Sequence, residues 1–294
     1  MQQTQAFTLS TGAHELVAGY AEAKPVAYLG LLGVALSLAC AIVAAVHGMM
    51  IEPEGDLTKA ITFDGAVGVY LLTIALFVPF AHFTPKGRRR WLGWTIGLVL
   101  FAYSVETIQI LRGLDPRFSK VAPPPDKILG GLFFVSALGV LTLYAILIAK
   151  VIVRGTTGPD GLVLLSIRYA SGAAMIAFAA GVWMTAVQGR RIGPAGNILP
   201  LHALGFHALQ AIPIIGWFLS RSTVPEAIAR KWIRMAGLAW IAACLLVVLQ
   251  TALGHSVAEL SPPMLLSGFA ILVWTATFLK SARAWWRVPS DPSA

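Results

Sequence analysis

Three side chains able to ligate a metal or pass a proton stand together in one apolar stretch. From Ile198 to Leu219 the chain reads ILPLHALGFHALQAIPIIGWFL, with His202, His207 and Gln210 near its start. An imidazole or a carboxamide in hydrocarbon is costly, so it marks a site by default. His202 and His207 lie five residues apart, about 500° around a helix, and so point roughly 140° away from each other. They do not share one metal as an i,i+4 pair would. His207 and Gln210 share a face, as do Glu106 and Gln109 in FAYSVETIQIL. Glu106 is the costliest of the set. A carboxylate this far inside a helix must be paired, protonated or hydrated, and Arg112 and Arg117 are the available partners. Glu106 and Gln109 are therefore the candidates for chemistry, and His202, His207, Gln210 and His47 those for ligation. The plain alternative for each histidine is a hydrogen bond to a neighbouring helix carbonyl, or, for His47, hydration at a helix end.

The elements that position these groups follow from composition. The 294 residues are 57% hydrophobic and 12% charged, with a mean hydropathy of +0.76. A soluble fold of this size lacks the polar residues to cover so much apolar mass. Apolar runs fall near 25–47, 62–83, 91–112, 128–153, 167–188, 198–220, 232–253 and 263–283. Each is close to the length that spans hydrocarbon as helix. The expected fold is all-α, a polytopic membrane protein of eight transmembrane helices. Its expected divisions are a cytoplasmic segment 1–24, four-helix halves 25–155 and 156–285, and a cytoplasmic tail 286–294.

Charge sets the expected orientation. Grouping the N-terminus with the loops after helices 2, 4 and 6 and with the C-terminal tail puts 15 of the 22 basic residues on one side. Lys86, Arg88, Arg89, Arg90, Arg230, Lys231, Arg283 and Arg287 are among them. The positive-inside rule places both termini in the cytoplasm of a bacterial-type inner membrane. The net charge of +9 then reflects topology, and nucleic acid is not an expected partner. The first 24 residues have no basic n-region, so no cleavable signal peptide is expected. Cys40 and Cys244 sit in apolar runs without CxxC spacing.

The chain also repeats itself. HGMMIEPEGD from His47 matches QGRRIGPAGN from Gln188, with Gly, Ile, Pro and Gly recurring and Asp facing Asn. The same offset of 141 pairs Arg90-Trp91 with Lys231-Trp232, Gln109 with Gln250, and Gly113 with Gly254. A tandem pair of four-helix bundles follows, related by an axis along the membrane normal. With this topology His47, Asp64, Glu106, Gln109, Gln188, His202, His207, Gln210 and Gln250 all fall in the outer half of the bilayer. An outward-facing polar cavity is expected. The absence of a mid-membrane lysine argues against a retinal Schiff base, and no HExxH, Walker A or GxGxxG motif is present.

The layout resembles the heme A synthase family, eight-helix membrane proteins made of two similar halves. LPLHALGFHALQ follows an outer loop, a basic inner loop comes next, and LVVLQTALGHSV is similar to that family's Gln-x-x-Leu-Gly stretch. In that family, histidines of the second and fourth helices of each half hold haem near the outer face. Here helix 8 begins SPPMLLSGF, with Met264 where the family has histidine. Helix 2 offers Asp64 and Tyr70, and helix 4 begins PPPDKILGG. The resemblance therefore implies one haem b in the second half, its iron held by His207 or His202 and by Met264, a pairing that raises haem potential. An electron donor or quinone would be the partner. The alternatives are a small-solute or proton transporter built on the Glu106, Gln109 and His207 group, or a non-catalytic membrane sensor or scaffold.

Overall fold

A computed structural model describes residues 20–153 and 160–288. The expected 155/156 boundary, most of segment 1–24 and residues 289–294 lie outside the described residues. The protein is an all-α multi-pass membrane protein, with eight helices long and apolar enough to span a bilayer among the described residues. The described residues divide into two compact units at 150/151.

The first unit contains α1 (Lys24–His47), the strands β1 (Met50–Ile51) and β2 (Gly55–Asp56), α2 (Leu57–Ala81), α3 (Pro85–Leu111) and α4 (Pro124–Ile152, whose last two residues lie past the division). α2 and α3 begin before their apolar runs, because their first turns carry polar residues and are capped. Asp56 accepts from the Thr58 amide at 3.0 Å and Thr84 from the Gly87 amide at 3.1 Å, with Pro85 in the first turn. A capped first turn needs no hydrophobic residues, so hydropathy does not register it. α1 and α2 approach closely at Gly30 and Gly68. A β-carbon on Gly30 would lie 2.8 Å from the Gly68 carbonyl oxygen, and one on Gly68 2.7 Å from that of Gly30. Small residues admit such backbone approach between membrane helices. α3 is tied to α4 by the Trp91 indole, which donates to the Leu143 carbonyl at 2.9 Å. Phe63 of α2 packs on Phe133 of α4.

The second unit contains α5 (Gly161–Ala186), β3 (Arg191–Ile192), β4 (Gly196–Asn197), α6 (Leu199–Ala211), α7 (Pro213–Ser220), α8 (Glu226–Ala252) and α9 (Pro262–Trp286). The sixth span is broken between α6 and α7. Pro213 has no N–H to continue the ladder. The Trp274 indole of α9 donates to the Ala211 carbonyl at this break, at 3.2 Å. Trp240 of α8 donates to the Leu204 carbonyl at 3.0 Å. Ala170, Ala173, Ala174 and Ala177 of α5 are fully buried on the helix that α6, α7 and α8 pack against. Outward faces remain apolar, as at Leu265, Phe269 and Leu272 of α9, which suits contact with hydrocarbon.

The two hairpins were not expected from the apolar pattern, and they have the same construction. Met50 pairs with Asp56 and Ile51 with Gly55; Arg191 pairs with Asn197 and Ile192 with Gly196. The Glu54 amide donates to the Gly113 carbonyl at 2.8 Å, and the Ala195 amide to that of Gly254 at 3.0 Å. Gly113 and Gly254 hold φ of 78° and 79°, a left-handed conformation that glycine adopts without strain. Asn197 caps Leu199 as Asp56 caps Thr58. Every residue in the second set stands 141 positions after its counterpart.

Candidate functional site

The densest group of buried charge lies in the first unit, at the end where α2 begins and α3 stops. Asp64 of α2 and Glu106 of α3 are both 0% exposed. Asp64 Oδ2 accepts from the Thr107 hydroxyl at 2.9 Å. Glu106 Oε1 accepts a hydrogen bond and an ion pair from Arg117. Arg117 comes from the connection after α3 and turns back into the bundle. Asp115 makes that turn, its Oδ1 accepting from the amides of Arg117 at 2.9 Å and Phe118 at 3.0 Å. The other oxygen of Asp115 accepts from Lys59 Nζ at 2.5 Å. The guanidinium rests over the rings of Phe63 and Phe133, at 5.4 and 5.7 Å from their centroids. A cation over an aromatic face keeps electrostatic stabilisation where water is scarce.

Three buried oxygens in this cluster are left over. Asp64 Oδ1, Glu106 Oε2 and the Tyr103 hydroxyl have no hydrogen-bond partner among the described residues. Native structures rarely bury polar atoms this way without a functional or hydration reason.

Gln109 belongs to a neighbouring network. Its Nε2 donates to Asp126 Oδ1 at 2.7 Å, and its Oε1 accepts from Arg112 at 2.7 Å. Arg112 in turn grips Asp126 through both terminal nitrogens, at 2.7 and 3.2 Å. Gln109 thus ties the end of α3 to the start of α4. Of the two arginines expected near Glu106, Arg117 pairs with it and Arg112 goes to Asp126. Gln250 has the matching place in the second unit, donating to the Ser256 carbonyl at 2.9 Å and accepting from the Ser261 hydroxyl at 2.8 Å.

The connection over the first cluster is itself held by charge. Glu54 accepts from the Ser119 hydroxyl at 2.5 Å and the Lys120 amide at 3.0 Å. The Ser119 hydroxyl, helped by that amide against partial burial, holds the Glu54 carboxyl below the usual range. Burial pushes Asp115 up, but Lys59 and the two loop amides outweigh it and its carboxyl lies below the usual range.

The ligation candidates fall elsewhere. His202 is half-buried on α6. Its Nδ1–H donates to the Ala177 carbonyl of α5 at 2.8 Å, and its ring meets Phe206 edge-on. His207 is exposed on another face of the same helix, and Gln210 is half-buried. Met264 is half-buried in the first turn of α9, and His47 is exposed at the last residue of α1. Among the described residues no group of three or more His, Cys, Asp or Glu side chains is placed to hold a metal ion. Cys40 and Cys244 are buried thiols.

Lys59, Asp115 and Thr107 were not singled out by sequence reasoning. Lys59 and Asp115 lie 56 residues apart, and neither sits inside an apolar run, where a polar residue attracts notice. No family model, no curated protein and no solved structure matches the chain. The likeness to heme A synthases has no match behind it, and the chemistry rests on the residues themselves.

Two measurements test the cluster. Arg117→Met strands a buried carboxylate and lowers unfolding free energy in detergent by about 3 kcal/mol. Adding Glu106→Gln to it recovers much of the loss, whereas independent residues would give additive costs. Asp115→Asn lowers the unfolding temperature at neutral pH. A depressed carboxylate contributes its full stability above its unfolded pKa and loses it toward the lower folded value, so the gap between wild type and variant narrows as pH falls below about 4.

Proposed function

We propose that the protein is a membrane transporter for protons, and that Asp64 and Glu106 are its carrier pair. The carrying observation is the charge balance of the cluster. Three carboxylates, Asp64, Glu106 and Asp115, face two cations, Lys59 and Arg117. The group is one positive charge short. Two of its carboxyl oxygens are bare and fully enclosed. A net charge away from water is expensive, so such a cluster takes up a cation that fits beside one oxygen lone pair. A proton is the smallest. Arg117 enters from a connection rather than from a helix, so it can follow Glu106 without moving a span. In this reading both termini are cytoplasmic and the pair lies in the outer half of a bacterial-type inner membrane.

The 141-residue correspondence supports a tandem duplication as the origin of the two units. The charged site is not shared by both. Lys59, Asp64 and Glu106 stand where the second unit has Pro200, Gly205 and Val247. The first unit is therefore the one that carries the proton.

The test is proton flux in liposomes with an internal pH dye and an imposed potential. Wild-type vesicles change internal pH at a rate that Asp64→Asn and Glu106→Gln each cut at least tenfold, while both variants keep the helical content and elution volume of the wild type. Flux equal to that of protein-free vesicles ends this reading.

A second reading, haem binding in the second unit with His202 or His207 and Met264 as ligands, draws support from one contact. The bond from His202 Nδ1–H to the Ala177 carbonyl leaves the lone pair on Nε2. That is how ligating histidines are commonly oriented. It calls for a Soret band that shifts on dithionite reduction and is lost in His202→Ala or His207→Ala. Colourless protein from haem-replete cells excludes it.

A further inference from the structure

The second unit has a different charged feature at the end where α7 stops, α8 begins and α9 finishes. A cavity of about 460 Å³ opens there, lined by Thr223 and Val224 of the α7–α8 connection, Trp232 of α8, Lys280 and Arg283 of α9, and Arg287 at its C-cap. The three cations are spaced i, i+3 and i+7, so they lie along one face of the helix. None of them has a carboxylate partner among the described residues. Glu226, in the first turn of α8, is taken by Arg230 at 2.7 Å.

Cations facing a hollow without anions repel one another and attract an anion of matching size. A phosphate offers several acceptor oxygens to guanidinium forks and an ammonium together. The surroundings indicate how that phosphate is presented. Trp285 and Trp286 stand at the same helix end, where Trp286 is 77% exposed. Indoles at this position are characteristic of the headgroup level of a bilayer. Apolar side chains such as Leu279 are exposed one turn deeper on α9, where acyl chains would lie.

We infer that this cavity binds the phosphate of an anionic glycerophospholipid, held by Lys280, Arg283 and Arg287 with its chains along α9. Basic pockets between membrane helices are suited to such headgroups. Topology alone would need only the charge and no hollow. Lys86, Arg88, Arg89 and Arg90 supply comparable charge in the first unit and serve as the control.

The experiment is thermal unfolding of the full-length protein in detergent, titrated with phosphatidylglycerol, phosphatidylcholine or inorganic phosphate. Phosphatidylglycerol raises the unfolding temperature, and phosphatidylcholine and millimolar phosphate do not. Lys280→Gln/Arg283→Gln/Arg287→Gln weakens the phosphatidylglycerol effect on the order of a hundredfold. Arg88→Gln/Arg89→Gln/Arg90→Gln leaves it unchanged. If the triple variant on α9 fails to fold, Arg283→Gln and Arg287→Gln are titrated singly, each weakening binding severalfold. An unchanged lipid effect in the α9 variants overturns the inference. So does an equal shift with phosphate alone that the same variants abolish, since the hollow would then be a soluble-anion site.

Discussion

A polar group in hydrocarbon has no water to fall back on, and this constraint shapes both units. It explains why indoles recur at helix contacts. Trp91, Trp240 and Trp274 each send their N–H to a backbone carbonyl of another helix. The Ala211 carbonyl is the clearest case, because Pro213 interrupts the ladder beside it. A tryptophan from a neighbouring helix there does the work that a backbone amide does elsewhere. The sixth span can therefore bend without leaving that oxygen bare.

The same constraint sorts the buried polar residues into those that close the structure and those that leave something over. Gln109 and Gln250 fasten the end of one helix to the start of the next, each using both ends of its carboxamide. Arg112 and Asp126 complete the first of these knots. Asp64 and Glu106 differ. Each uses one oxygen and leaves the other enclosed and unpartnered, and the cations around them are one too few. Where Gln109 and Gln250 commit both ends of the carboxamide to closure, these two carboxylates each hold back one oxygen.

The repeated hairpins show how one short motif serves two units with different contents. In each, a glycine with positive φ after a long helix offers its carbonyl to the hairpin, and an Asx side chain caps the next helix. This backbone frame is indifferent to the side chains hung on it. In the first unit it presents Lys59, Asp64 and Glu106. In the second the same positions are Pro200, Gly205 and Val247, and the polar side chains on α6 are His202, His207 and Gln210.

Eight spans could be read from hydropathy alone, because the cost of exposing apolar mass to water depends on composition and length. The 141-residue echo and the expense of Glu106 were equally visible, since both are properties of single stretches. The starts of α2 and α3 were read late, because capped polar first turns leave no hydrophobic trace. The destinations of the polar side chains were not legible. Arg112 and Arg117 were equivalent partners for Glu106 in the sequence, and only the Asp115 turn sends Arg117 inward while Asp126 claims Arg112. Pairings such as Lys59 with Asp115 join residues far apart along the chain, and the physical reason they escape sequence reading is that a charge finds its partner through the packing of helices, which no local pattern encodes.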